Sequence, residues 1–401
     1  MVSGMETPPP RPHANASALT TILDTVRVEG PLTRSALGAR LGLARSTVSQ
    51  RVDLLMDRGL LRIGEPAAST GGRRAETLVF NPASGAVLAG DIGATHYRVA
   101  LASLAGDILA EDGGEIQIET GPETVLEHLD ERFRALLAEA GRGPEEVRAL
   151  GIGLPGPVEF ATGRPVSPPI MPGWDGYPVA DWLRQRYGVR AVIDNDVNIA
   201  ARGEHQLIWP HVEHLLFVKV ATGIGCGIVA SGRLYRGQQG AAGDIGHIRI
   251  SGRDDIICEC GNIGCLEAVA SGRALARHAT ELGFPARDSR DVVALVAAQE
   301  LPVIRLVREA GRFLGEVLAS VVNALNPSVI VIGGALAEAH QQLFAGLRET
   351  IYQRSTPLAT QRLEIAPTAL GTHAGVHGAI ALAIDEAMSP AALELHAAGA
   401  A

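Results

Sequence analysis

The segment CECGNIGCLE, residues 258–267, holds Cys258, Cys260 and Cys265, three of only four cysteines in a chain of 401 residues. A loop this rich in glycine has little to bury and no helical or strand period, so a hydrophobic core alone cannot order it. The N-terminal stretch MVSGMETPPPRPHANAS carries prolines where a secretory leader has its apolar core. The longest apolar runs, such as SVIVIGGALA, fall short of the ~20 residues of a membrane span. The chain therefore reads as cytoplasmic, with no membrane partner, and clustered thiols in that compartment point to a metal site rather than disulfides. Zinc takes four tetrahedral ligands. Three cysteines leave one position, and GAAGDIGHIRI just upstream offers His247, eleven residues before Cys258. The expectation is a closed, structural Zn2+ site of His247, Cys258, Cys260 and Cys265. Three free thiols or a labile redox centre are the alternatives. A histidine that gives one ring nitrogen to the metal has the other fixed as a donor for a ligand hydroxyl. Cys226, apart from the cluster, reads as a buried small apolar residue.

Charge divides the chain. Residues 1–82 contain ten arginines against seven carboxylates, whereas the whole chain carries a formal charge of −9. A mildly basic front end ahead of an acidic body suggests a nucleic-acid reader joined to a second function. Residues 1–16 read as disordered, with several prolines and little to bury. Leu19, Ile22, Leu23 and Val26 then form one apolar helical stripe. Thr33 is placed to cap a second helix, RSALGARLG, and Gly42 suits the turn into a third, RSTVSQRVDLLMDRG, with Val48, Val52 and Leu55 facing inward. Ala44 stands where a serine would cap that third helix better. Its outward residues Arg45, Ser46, Thr47, Ser49, Gln50 and Arg51 can donate to phosphates or base edges in a major groove. PAASTGGRRAETLVF follows as a β-hairpin wing, with Arg73 and Arg74 near its Gly-Gly tip to grip phosphate or a minor groove. Residues 17–82 are thus expected to form a winged helix-turn-helix that binds operator DNA.

The body is expected to be α/β. AVLAGDIGATHYRVALASLAGDILAE, from residue 86, reads as strand, glycine turn, strand, turn, strand. Asp91 in its first turn can hold magnesium or its waters, and Gly93 and Thr95 can receive phosphate oxygens. RAVIDNDVNIAARGEH is a strand ending in Asn195 and Asp196 at its carboxyl end, the usual place for ligand chemistry in α/β sheets. LLFVKVATGIGCGIVASGRLYRG repeats the hairpin plan, with Thr222, Gly223 and Gly225, and NPSVIVIGGALAEA ends a later strand at Gly333 and Gly334. Two such hairpins, an aspartate between them and a late Gly-Gly turn resemble the two-lobed, actin-like and sugar-kinase (ribonuclease H-like) ATPase plan. ATP with Mg2+ would lie between the lobes if kinase activity is retained. The stretch RDSRDVVALVAAQELPVIRLVREAGRFLGEVLASVVNAL reads as two helices, the second apolar on one face, serving as core or oligomer contact. Residues 389–401 read as a frayed tail.

CECGNIGCLE preceded by AGDIGH resembles the signature of the ROK family (repressors, open reading frames and sugar kinases). The resemblance spans about residues 86–388, with the last helix returning to the first lobe, and the DNA module resembles the regulator branch of that family. It implies that Asn195, Asp196, Asp244, His247 and Glu267 bind a sugar, with Asp196 the catalytic base if the chain is a kinase. It also implies a homodimer or homotetramer. Several residues depart from the kinase pattern: Ala94 and His96 in the first hairpin, Ala221 in the second, and Asp244 in place of glutamate. The expected function is a sugar-responsive repressor of carbohydrate-utilisation genes, released by the sugar. A bifunctional sugar kinase that binds DNA is the alternative.

Overall fold

The computed structural model describes residues 18–65 and 76–395, the side chains of His340, Glu394 and Leu395 excepted. Residues 1–16 and the expected wing tip with Arg73 and Arg74 lie outside the described residues. The front module comprises α1 (Ala18–Glu29), α2 (Arg34–Leu41) and α3 (Arg45–Asp57), then the antiparallel pair β1 (Leu61–Ile63) and β2 (Leu78–Phe80). The apolar stripe of α1 is buried against Leu37 of α2 and Val48, Val52 and Leu55 of α3. Thr33 Oγ1 accepts from the Ala36 N–H at 3.1 Å, and Gly42 takes the left-handed conformation (φ +66°) that ends α2. Ala44 precedes α3 with no side-chain cap.

Behind it lie two five-stranded sheets of the same plan. In the first, β3 (Ala86–Ile92), β4 (His96–Ser103) and β5 (Ile108–Glu115) form an antiparallel meander, and α4 (Pro122–Glu139) crosses to β6 (Val147–Leu154). A small hairpin of β7 (Val158–Glu159) and β8 (Arg164–Pro165) and the helix α5 (Val179–Tyr187) lead to β9 (Ala191–Asn195). The order is β5-β4-β3-β6-β9, with β3, β6 and β9 parallel. Helix α6 (Asp196–Leu207) joins the lobes. The second meander is β10 (Leu215–Val220), β11 (Ile224–Ala230) and β12 (Arg233–Tyr235). Helices α7 (Leu266–Ala270), α8 (Gly272–Glu281), α9 (Ser289–Ala297) and α10 (Leu301–Leu325) follow, then β13 (Val329–Gly333), α11 (His340–Arg354), α12 (Pro357–Thr360) and β14 (Glu364–Pro367). This sheet runs β12-β11-β10-β13-β14, with β10, β13 and β14 parallel. The repeated topology is the two-lobed architecture expected from the repeated hairpins. Helix α10 buries its apolar face, including Val307, Leu314 and Leu318, in the core of the second lobe, which assigns it to packing within the chain.

The chain then returns to the first lobe as α13 (Ala374–Ala387), packed on β3, β6 and α6. Close approach is possible because glycines stand at the crossings. A Cβ on Gly378 would lie 1.7 Å from the Ile199 carbonyl oxygen, and one on Gly203 would lie 2.2 Å from that of Ala374. The supposed tail is in part structured: α14 (Pro390–Leu395) places Leu393, only 3% exposed, in one apolar cluster with the residues of α1. The sequence reading missed this because six residues with two apolar positions carry no visible period. Arg27 of α1 also donates to the Met388 sulfur at 3.7 Å. Among the described residues no helix is long and apolar enough to cross a membrane.

Candidate functional site

A cleft of about 250 Å³ opens between the lobes, and all five residues expected to face a sugar line it. Asn195 and Asp196 come from the end of β9 and the start of α6. Asp244 and His247 come from the loop after β12, and Glu267 from α7.

Asn195 has a structural duty that the sequence did not reveal. Its Oδ1 caps α6, accepting from the Val197 and Asn198 N–H groups at 2.9 and 3.2 Å, and its Nδ2 donates to the Gly156 carbonyl at 2.9 Å. One amide N–H remains for a ligand. Asp196 is buried, and its Oδ2 accepts from Lys219 Nζ at 2.7 Å. Beneath it, buried Asp194 accepts from Arg236 at 2.7 Å and from Asn198 at 3.0 Å, while the Arg236 guanidinium lies 3.8 Å from the centre of the Phe160 ring. Both ion pairs join the β9–α6 corner of the first lobe to the second, at Lys219 of β10 and at Arg236 just after β12. Glu267 is tied to the second hairpin, its Oε2 accepting from the Ile224 N–H at 2.9 Å. Burial raises the Glu267 carboxyl above its ordinary value.

The metal-ligand expectation meets a geometric test. His247, Cys258, Cys260 and Cys265 bring one donor atom each within 4.8 Å of one another. The His247 Nδ1 to Cys258 Sγ distance is 3.7 Å, as is Cys260 Sγ to Cys265 Sγ. Two sulfurs about 2.3 Å from a tetrahedral ion stand about 3.8 Å apart, and a sulfur and a nitrogen about 3.6 Å apart. Gly261 (φ +88°) and Gly264 (φ +70°) make the turns that allow this. Nδ1 faces the thiols, which leaves Nε2 on the cleft side, 3.9 Å from an Asp244 carboxylate oxygen. Without a cation, burial pushes the Cys265 thiol up to about 12, so a bound metal would displace protons from this cluster. Cys226 is buried, its thiol also pushed up to about 12 by desolvation, as its expected inert role requires.

The nucleotide expectations separate into two groups. Gly93, Thr222, Gly223 and Gly225 line the cleft. Gly223 and Gly225, however, abut Glu267 and Val197, so their missing side chains serve packing. Asp91, Thr95, Gly333 and Gly334 are not among the residues lining the cleft. Gly333 packs on the Phe217 ring, and Gly334 makes a left-handed turn (φ +86°) against the Val220 backbone. Asp91 is buried at the foot of α13, with Oδ1 unpartnered and its carboxyl pushed up to about 6 by desolvation. The His96 ring folds over Gly93, and burial lowers it to about 4, so it is neutral at ordinary pH.

The ROK family pattern matches residues 87–386, three quarters of the chain. The chain belongs to the ROK family. A MarR family pattern covers residues 20–75 of this ROK protein. A xylose repressor of Caldicellulosiruptor bescii is 30% identical over 92% of this chain and 95% of its own length. A solved ROK family transcriptional regulator, a homolog of the E. coli MLC protein, superposes with a TM-score of 0.77 at 25% identity, covering 94% of this chain and 97% of that one. A ROK family glucokinase from Streptomyces griseus, solved with glucose and AMPPNP, gives a TM-score of 0.64 at 26% identity over 75% of this chain and 99% of that one. The likeness to regulators therefore runs through the DNA module, and that to the glucokinase covers the body.

In that module Arg45, Ser46, Gln50 and Arg51 are exposed on α3, while Thr47 and Ser49 are half-buried. Arg34 holds Asp53 at 2.7 Å. The residue that sequence reading passed over is Lys219. It is the only lysine of the chain, and it sits in the cleft against Asp196. Its one signal was its uniqueness, which composition alone cannot distinguish from a preference for arginine.

Proposed function

We propose that this chain is a sugar-responsive transcriptional repressor whose effector binds in the interlobe cleft and releases operator DNA. The observation that carries this reading is a continuous solid path from the cleft to the DNA module. Helix α6 begins at Asn195 and Asp196 in the cleft. Its fully buried Glu204 accepts from Thr368 Oγ1 at 2.8 Å and from the Ala369 N–H at 2.7 Å, which fixes the loop before α13. α6 and α13 touch backbone to backbone at Gly203 and Gly378. α13 then runs into α14, whose Leu393 packs with α1 of the helix-turn-helix. A sugar held by Asn195, Asp196, Asp244, His247 and Glu267 draws on both lobes, and a change in their spacing moves α6 and α13 together. Buried hydroxyl-binding groups reject a wrong sugar strongly, because each unpaired group costs ~1–3 kcal/mol.

The metal is Zn2+ in a structural role. With four protein ligands it is closed to substrate, and it orders the loop that presents His247 Nε2 to the sugar. Arg45, Ser46, Thr47, Ser49, Gln50 and Arg51 on α3, with Arg73 and Arg74 of the wing, contact operator DNA. A homodimer presents two such modules to a pseudo-palindrome.

The test pairs two measurements. A panel of free sugars is screened by thermal shift, since a ligand bound only by the folded state raises the midpoint. Binding to a DNA site selected from a random library is then titrated by fluorescence anisotropy with the sugar that shifts. Release of DNA by that sugar supports the reading. Unchanged DNA affinity at saturating sugar refutes it.

A further inference from the structure

Lys219 Nζ bonds Asp196 Oδ2 at 2.7 Å in the cleft, at the place where a sugar kinase of this architecture would need a free carboxylate base. The ammonium bridges the lobes, from β10 of the second sheet to the start of α6. Asp91, the other carboxylate that a magnesium-nucleotide site would use, lies nearby with one buried oxygen unpartnered. The first hairpin is also obstructed. The His96 ring atoms lie 2.4–2.9 Å from where a Cβ on Gly93 would stand, so the imidazole covers the turn that phosphate oxygens would approach. The residues present do not fit a magnesium-nucleotide. The Asp196 oxygen already accepts from the Lys219 ammonium, and a divalent ion cannot share that position with a lysine head group.

The other charged residues lining the cleft are the carboxylates Asp196, Asp244, Glu259 and Glu267 and the guanidinium groups of Arg273 and Arg277. Arg273 and Arg277 have partners of their own in Glu259 and the Ala268 carbonyl, so Lys219 is the cation seated on Asp196, and four lining carboxylates against three cations leave a dianionic phosphate facing net negative charge.

We infer that Lys219 is a built-in counter-cation that replaces the metal and nucleotide of the kinases. It makes the cleft a receptor for an uncharged, unphosphorylated sugar, bound with neither magnesium nor ATP. This rests on the sugar-pocket reading above and adds the chemical class of the ligand and the residue that sets it.

The test uses the zinc-loaded full-length protein. Mn2+ binding is followed by electron paramagnetic resonance for the wild type, Lys219→Ala, and the double variant Lys219→Ala with Asp196→Asn. Removing the lysine leaves two carboxylates without a cation, so Lys219→Ala is expected to bind one Mn2+ at least tenfold more tightly than the wild type. The double variant is expected to lose that site. A folded Lys219→Ala with no gain in Mn2+ affinity overturns the inference. Should that variant fail to fold, the wild type decides. Its thermal midpoint is expected to rise with a free sugar such as D-xylose, D-glucose or N-acetylglucosamine without nucleotide, and to stay unmoved by Mg2+-ATP or glucose 6-phosphate. A shift by Mg2+-ATP, a sugar shift that appears only in its presence, or a stronger shift by glucose 6-phosphate also overturns the inference, yet leaves the regulator reading standing. If no free sugar shifts the wild type, the sugar-pocket reading itself fails, and the Mn2+ result still decides the role of Lys219.

Discussion

Replacing Gly378 with alanine tests the path between sugar and DNA. The added Cβ would fall 1.7 Å from the Ile199 carbonyl oxygen and 2.5 Å from its carbon, both backbone atoms of α6 with no rotamer to yield. Non-bonded heavy atoms settle near about 3.5 Å, so α6 and α13 must part by more than about 1 Å. Overpacking of this kind costs ~1–3 kcal/mol, offset by the ~1 kcal/mol that alanine gains over glycine inside a helix. The fold should therefore survive with a modest loss of stability. Asn195 and Asp196 stand one turn before Ile199, but the added methyl meets only Ile199 backbone atoms and not the partners that hold those two side chains, the Val197 and Asn198 N–H groups, Gly156 and Lys219. What changes is the fit by which α6 moves α13. Coupling between two sites is typically worth about 1–3 kcal/mol, or 5–150-fold in affinity. Gly378→Ala is expected to keep sugar affinity by calorimetry and sugar-free DNA affinity by anisotropy, while the sugar-induced loss of DNA affinity shrinks towards onefold. If the folded variant binds sugar and releases DNA as the wild type does, the α6–α13 contact is not the route.

Cys260→Ser should lower bound zinc from about one equivalent per chain to well below it, with a lower thermal midpoint; full zinc retention on elemental analysis would remove Cys260 from the ligand set. Arg45→Ala and Arg51→Ala should each weaken DNA binding and reduce the slope of log affinity against log salt by about 1, and unchanged slopes would place α3 away from the phosphates. Asp91 and His96 give a pH prediction of opposite signs. Asp91, raised to about 6 from 3.8, contributes stability that is full at low pH and lost as pH rises through 6. His96, lowered to about 4 from 6.5, contributes stability that is full above 6.5 and lost as pH falls through 4. The two nearly cancel in the wild type, each being worth on the order of 3 kcal/mol. Relative to the wild type, His96→Asn should lose stability from pH 4 to 6.5, and Asp91→Asn should gain it. Parallel urea-melt profiles for all three proteins would show that neither group is perturbed.

Much of this protein was legible wherever local chemistry and global fold agree. Thr33 caps α2 and Gly42 ends it because those side chains act within a few residues of themselves. The cysteine spacing brings His247, Cys258, Cys260 and Cys265 together for the same reason, and the two glycine hairpins mark the two meanders. What stayed hidden depends on partners distant in sequence. Gly203 and Gly378 look like ordinary helix interruptions until the two helices cross. Glu204 reads as a surface residue of α6, yet it is fully buried under the loop at 368–370. Asn195 was assigned to the sugar, whereas most of its hydrogen bonds cap α6 and hold Gly156. Gly333 and Gly334 had the composition of a phosphate turn, but their space is taken by Phe217 and the Val220 backbone.

The division of the proposed sugar contacts between lobes bears on how such a cleft would signal. Asn195 and Asp196 belong to the β9–α6 corner of the first lobe, while Asp244, His247 and Glu267 belong to a loop and helix packed on the second sheet. A ligand that touches both sets binds best at one spacing of the lobes, and that differential affinity is the only means by which it can shift a conformational equilibrium. Two ion pairs, Asp194 with Arg236 and Asp196 with Lys219, already span the same gap at 2.7 Å each. They hold the two lobes together across the cleft, so a ligand there meets a gap already bridged by the protein's own charges. On the proposed reading, a sugar refines a cleft that is already formed. Small shifts at Asp196 suffice, because α6 transmits them to α13 through backbone contacts that do not compress.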